Sequence, residues 1–281
     1  MRRVGIIATV SAVVVAGLVV ALAVVWPGLD AQETPKYDTS VWALQTGDGR
    51  RYARVNTSIG ELDTVRSISN PSEVAQGPDG AYLYSDSFTK LTKIDPAQPV
   101  NLDEETLRAS DSTPSGTKDV ATSGDFAAYL TDAGAVFAGR LSTGSSSLVD
   151  PDAATDNAPQ YAADAIAVDA RGRLYAYSKR DKQVLVYDIV TGKQLRRDDA
   201  SAIDPATPLI SAAGDTWVLV GADTGDVLVQ GRAAEKIPVT GTAVVGAPST
   251  SVGAVYVASA SALVSVPVDG SSPRVEGGAE G

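Results

Sequence analysis

An all-β, propeller-like domain of six repeats, preceded by one transmembrane α-helix that holds it outside a membrane, is the fold class this 281-residue sequence predicts. Three observations carry it. Residues 4–26 hold no charge. From Val41 onward, short alternating strands are broken by Gly, Asp, Asn and Ser. Strand-turn units also recur, with second strands centred at Trp42, Leu83, Ala128, Leu174, Trp217 and Val255. Those centres lie 38 to 46 residues apart, close to the ~40–45-residue period of four-strand propeller blades.

Residues 1–3 read as a cytoplasmic N-terminus. As a helix, the 23 residues from Val4 to Trp26 would run ~35 Å at ~1.5 Å per residue, enough for a hydrocarbon core of ~30 Å. Arg2 and Arg3 favour the cytoplasmic side, Trp26 suits the far headgroup level, and Pro27-Gly28 ends the helix. Arg2, Arg3 and Trp26 are therefore the expected membrane-anchor residues, with membrane lipid as the partner of the helix. The expected location is a cell membrane, single-pass, with the bulk of the chain extracellular. Ala21-Leu22-Ala23 would suit signal-peptide cleavage, but signal h-regions run ~7–15 residues, shorter than this span. Residues 27–40, polar with Pro27 and Pro35, read as a juxtamembrane linker.

The repeat domain is expected at 41–276. Its clearest unit runs from Asp164 to Arg197 as strand, Gly turn, strand, charged turn, strand, Thr-Gly turn, strand. The same order starts again near Ser72, Lys118, Leu209 and Val244, whereas the copy from Val41 has three strands and lacks the inner one. Each small sheet cannot bury both faces alone, so neighbours stack around an axis. A two-layer sandwich would also give short strands, but not four-strand units in this phase. Leu102 to Ser110 is the only candidate for a helical turn or two. Residues 277–281 are too short and glycine-rich to complete the first copy, so the repeats read as the front part of a longer chain.

The net charge of −11 speaks against nucleic acid, whose binding depends on neutralising phosphates with Lys and Arg. Cys and His are absent, which excludes thiol nucleophiles, disulfides, Cys/His zinc sites and Ser–His–Asp triads. No catalytic, cofactor-binding or metal residue is assigned, and no cofactor is expected. The run from Asp150 to Asn157 offers oxygen ligands but lacks the glycine of a calcium loop. Asp223 and Asp226 flank Thr224-Gly225 as a hairpin turn would use them. Asn56-Thr57-Ser58 is a formal glycosylation sequon. Arg173, Lys179, Arg180, Asp181 and Lys182 read as a solvated mixed-charge hairpin.

The stretch VWALQTGDGRRYARVNTSIGELDTV from Val41, with Ile94-Asp95-Pro96-Ala97 and Thr191-Gly192 turns further on, resembles the N-terminal region of large actinobacterial fibronectin type III domain-containing envelope proteins. That resemblance implies a membrane-anchored propeller-like region and supplies no catalytic residues. The expected function is a non-catalytic cell-envelope platform for a protein or a cell-wall glycan. The alternative is a polysaccharide-acting protein that uses a carboxylate pair, to be recognised by two acids facing each other in a channel or cleft with raised pKa values.

Overall fold

A computed structural model describes residues 40–77, 80–149, 159–239 and 242–278. Six antiparallel sheets follow one another along the chain. The first has three strands, β1 (Val41–Gln45), β2 (Arg51–Asn56) and β3 (Glu61–Ser67). The second holds β4 (Pro71–Gly77), β5 (Gly80–Ser85), β6 (Lys90–Ile94) and β7 (Asp111–Ser112). The third holds β8 (Thr117–Ser123), β9 (Phe126–Thr131), β10 (Val136–Arg140) and β11 (Ser145–Leu148). β12 (Ala165–Val168), β13 (Arg173–Ser178), β14 (Gln183–Asp188) and β15 (Lys193–Asp199) form the fourth. β16 (Pro208–Ala213), β17 (Thr216–Gly221), β18 (Asp226–Val229) and β19 (Glu235–Lys236) form the fifth. The last comprises β20 (Val244–Val245), β21 (Ala254–Ala258), β22 (Ala262–Pro267) and β23 (Arg274–Gly278).

Every strand pairs with its sequence neighbour, so hairpin chemistry sets the topology. Gly124 and Gly214 lead the two-residue turns of β8–β9 and β16–β17 at φ 57° and 60°, the left-handed backbone that tight hairpins require and glycine adopts without strain. Gly225, at φ 70° between Thr224 and Asp226, serves the β17–β18 turn, and Asp226 pairs with Lys236 at 3.1 Å. These acids are turn residues. The Leu102–Ser110 stretch contains α1 (Glu104–Arg108), capped by Asp103, whose Oδ1 accepts from the Thr106 N–H at 2.9 Å.

First strands of successive four-stranded sheets lie against one another, β4 on β8, β8 on β12, β12 on β16 and β16 on β20, and β1 lies on β4. The sheets therefore radiate from a common inner line, with the fourth strands outermost. The second strands are sandwiched between neighbours, which explains why Phe126–Thr131 is buried at every position and reads as an unbroken apolar run rather than an alternating one. Five buried clusters join consecutive sheets, from Trp42, Tyr52 and Leu83 between the first and second to Val220, Val255 and Val266 between the fifth and sixth. Among the described residues no such cluster joins the sixth sheet to the first.

The three-stranded first sheet corresponds to strands two to four of the others. β3 and β15 share one exposure pattern along their seven residues. The β2–β3 ladder also shifts register at Arg54/Val55, as the β14–β15 ladder does at Val186/Tyr187. Its first-strand position, at the edge of β1, has no strand among the described residues.

The helix-plus-propeller fold class needs correction. Among the described residues no helix is long and apolar enough to cross a membrane. α1, with five residues, covers only ~7.5 Å of the ~30 Å a span requires. The predicted span at 4–26, with Arg2, Arg3 and Trp26, lies outside the described residues, as does Asp150–Asn157. Among the described residues the fold class is thus a propeller-like array without a transmembrane helix. The lipid partner, the signal-anchor and the single-pass location assigned through that helix are withdrawn with it.

Candidate functional site

Two places in this array hold chemistry that a purely structural sheet does not need. One is the edge of β1. Register along the first sheet sets Val41 opposite Val55 and Val55 opposite Leu62, and sets Ala43 opposite Ala53 and Ala53 opposite Val65. These six apolar side chains share the face turned away from the second sheet. Val41, Leu62 and Val65 are exposed. On the sixth sheet, Val255, Val257, Val264 and Val266 are buried against the fifth, while Val244, Tyr256 and Leu263 are exposed. Both end sheets therefore show an uncovered apolar face, where single exposed apolar side chains would be unremarkable and a contiguous patch is informative.

The backbone edge between them is already partly met by a side chain. Gln76 on β4 accepts from the Trp42 N–H through Oε1 at 3.3 Å and donates Nε2 to the Ser40 carbonyl at 2.8 Å. A carboxamide here takes the two groups that a neighbouring strand would take. In the five other sheets that place belongs to a first strand.

The other place is the junction of the second and third sheets. β4 and β8 each shift register near their start, between Pro71 and Glu73 and between Thr117 and Asp119. Glu73 then lies opposite Tyr84, and Asp119 opposite Leu130. At the same ladder position the later first strands carry Ala165, Leu209 and Val244. Burial, and next the neighbouring charge of Asp119, push the Glu73 carboxyl up to about 7. Burial also raises Asp119, against the Val120 N–H and Lys118, which lower it. Asp119 is exposed. The Asp119 Oδ1 accepts from the Val120 N–H at 2.9 Å. For Glu73 no hydrogen bond or ion pair is found among the described residues.

Sequence reading missed this pair because the acids are far apart in the chain. The signal available was the shared pattern Glu73-Val74-Ala75 and Asp119-Val120-Ala121. An acid whose folded pKa exceeds its unfolded value costs stability once the pH passes that unfolded value, and the cost is complete above the folded pKa. Glu73→Gln should therefore leave stability unchanged at pH 4 and raise it by ~1–3 kcal/mol at pH 8 in metal-free buffer. Urea unfolding of both proteins at the two pH values checks this, and an equal change at both would refute it.

The rim between the first and second sheets carries two open clefts of about 530 and 480 Å³ that share Thr46 and Arg50. There Arg50 donates to Asn70 Oδ1 at 2.8 Å and Asn70 to Asp86 Oδ1 at 3.1 Å. The mixed-charge hairpin at 179–182 is surface, with Arg180 paired to Asp181 at 3.0 Å and Lys182 to Asp204 at 3.4 Å. Among the described residues no group of three or more Asp or Glu is placed to hold a metal ion.

No protein-family profile matches the sequence, and no curated protein sequence does. Solved structures do share the architecture. Hsv2 from Kluyveromyces lactis superposes with a TM-score of 0.60 at 9% identity, over 86% of this chain and 83% of that one. Virginiamycin B lyase from Staphylococcus aureus gives 0.51 at 13% identity, over 79% and 74%. At such identities the likeness is one of fold alone, and the fold hosts both a lyase and a protein not named for catalysis. The resemblance of the first repeat to actinobacterial fibronectin type III envelope proteins is corrected by these findings. It rested chiefly on the first copy, whose matching residues fall in β1, β2 and β3, and the cell-envelope assignment goes with it.

Proposed function

We propose that this propeller-like domain is a non-catalytic interaction platform whose partner protein adds an extended segment to the edge of β1. The observation that carries this reading is the first-strand position of the first sheet, which no strand among the described residues fills and which apolar side chains of the first and sixth sheets flank. Strand addition supplies affinity through main-chain hydrogen bonds and specificity through alternate side chains. The two end sheets, 41–68 and 244–276, carry five basic and five acidic residues, against −11 for the whole chain. An apolar segment thus meets little net field there.

A peptide copying residues 164–169, the start of the fourth sheet, serves as the test strand. It should bind saturably and protect the Leu44 amide from hydrogen exchange, while its alternately N-methylated analogue should not bind. Equal binding of both peptides, or of neither, would overturn the reading. Self-association of the chain without peptide would make a second copy the partner.

A second reading, polysaccharide hydrolysis by a carboxylate pair, draws its support from Glu73 and Asp119. Release of reducing ends from a polysaccharide, lost in Glu73→Gln, would be its signature.

A further inference from the structure

Gln76 occupies the backbone edge of β1, and its two bonds there are of a kind that can be exchanged. Val74, two residues before it on β4, packs into the cluster shared by the first and second sheets. Strand alternation puts Gln76 on that same face, from which it reaches β1. In its own ladder Gln76 lies opposite Ala81, the second residue of β5. The matching places in the next three sheets, opposite Ala127, Leu174 and Trp217, hold Thr122, Val168 and Ala212. None of these is a carboxamide or as long. The glutamine therefore stands beside the three-stranded sheet, whose first-strand place no described strand fills.

The two bonds differ in strength. The Trp42 N–H meets Gln76 Oε1 at 3.3 Å, past the usual ~2.7–3.2 Å of an N–H···O bond, while Nε2 donates to the Ser40 carbonyl at 2.8 Å. Gln76 is exposed, so a released carboxamide returns to water and leaves no buried polar side chain behind. Ser40 and Trp42 are buried, and their main-chain groups need a partner at all times. An added strand supplies one. Ser40, Trp42 and Leu44 alternate along the chain and so present main chain to the same edge. Leu44, next after the two groups that Gln76 holds, is where pairing would start.

We infer that Gln76 is a displaceable plug of the strand-binding edge. The incoming segment takes over the Trp42 N–H and the Ser40 carbonyl as the carboxamide swings out to solvent. This inference rests on the strand-addition reading. Because two hydrogen bonds are replaced by two, Gln76 holds the affinity down and keeps binding reversible. In the unbound chain it blunts an edge that would otherwise pair with unrelated strands.

The test compares the wild-type chain with Gln76→Ala and Gln76→Met, the second of which keeps the side-chain length and loses both bonds. Without peptide, the Trp42 amide should exchange with solvent at least about fivefold faster in both variants. The 164–169 peptide should bind both at least about fivefold more tightly than it binds wild type. Circular dichroism should show both folded. Unchanged Trp42 exchange, or a peptide affinity that is unchanged or weaker, would overturn the plug, while wild-type binding would leave the strand-addition reading standing. Tighter binding with alanine but not with methionine would also overturn it, since the obstacle would then be bulk. Binding to none of the three chains, or equal binding of the N-methylated analogue, would instead overturn strand addition and the plug with it.

Discussion

Trp217→Ala should lower stability by ~3–5 kcal/mol, the range for truncating a buried Trp or Phe to Ala. Trp217 is completely buried on β17 in the cluster joining the fourth and fifth sheets, against Tyr175, Val186 and Ile210 among others. Its indole N–H donates to Asp198 Oδ2 at 2.8 Å, an oxygen that also accepts from Arg196 Nε at 2.8 Å. Truncation thus leaves a cavity and removes one charge-assisted bond. Trp217→Phe keeps most of the apolar area and should cost less than half as much. Urea unfolding with fluorescence and circular dichroism as separate probes measures both. A loss below ~1 kcal/mol for the alanine variant would mean that the two sheets do not depend on this packing.

Asp169→Ala should cost ~3 kcal/mol, because a buried acceptor of four bonds disappears. Asp169 is wholly buried at the β12–β13 turn. Its Oδ1 accepts from the N–H groups of Arg171 and Arg173, both at 2.9 Å, and its Oδ2 from the Arg171 guanidinium at 3.0 and 3.3 Å. That grip aims Arg171 across to the fifth sheet, where it meets Asp215 at 2.6 Å and the Gly214 carbonyl at 2.8 Å. Arg173 also pairs with Asp215 and holds its carboxyl below the usual carboxylate range, with Arg171 adding to the effect. Asp169→Asn preserves the two bonds from backbone N–H groups and loses the charge, so it should cost about 1 kcal/mol. If alanine and asparagine are equally destabilising, charge matters more than turn geometry. If neither matters, the bridge contributes nothing.

The strand framework was legible because its signals are local. Trp42, Leu83, Ala128, Leu174, Trp217 and Val255 each fall within a strand, five of them in the second strand of a four-stranded sheet. The Leu102–Ser110 stretch, read as a helical turn or two, contains α1, and Thr224-Gly225, read as a hairpin turn, joins β17 to β18. The short first copy also reads as a three-stranded sheet. What was not legible depends on closure between distant segments. Nothing local sets the strands of Glu73 and Asp119 side by side, which lie together only because successive first strands converge on one line. Gln76 looked like an ordinary polar strand residue, and its role as a substitute strand appears only when β1 lies beside β4. The anchor was inferred from apolarity, length, the flanking Arg2 and Arg3 and the interfacial Trp26, all outside the described residues. The family resemblance came chiefly from one repeat, whose residues lie in the three strands of the first sheet.

Among the described residues, five cores join six sheets, and that arrangement has a mechanical meaning. A continuous circle gives every member two supporting neighbours, whereas a broken one behaves as a line with two ends. Stability should then be graded along the chain, greatest in the third and fourth sheets and least in the first and last, where one face lacks support. Opening begins at those ends as a local event, costing much less than global unfolding. Whatever seats itself across the break turns the line back into a circle. Its binding would then be felt in the rigidity of sheets it never touches.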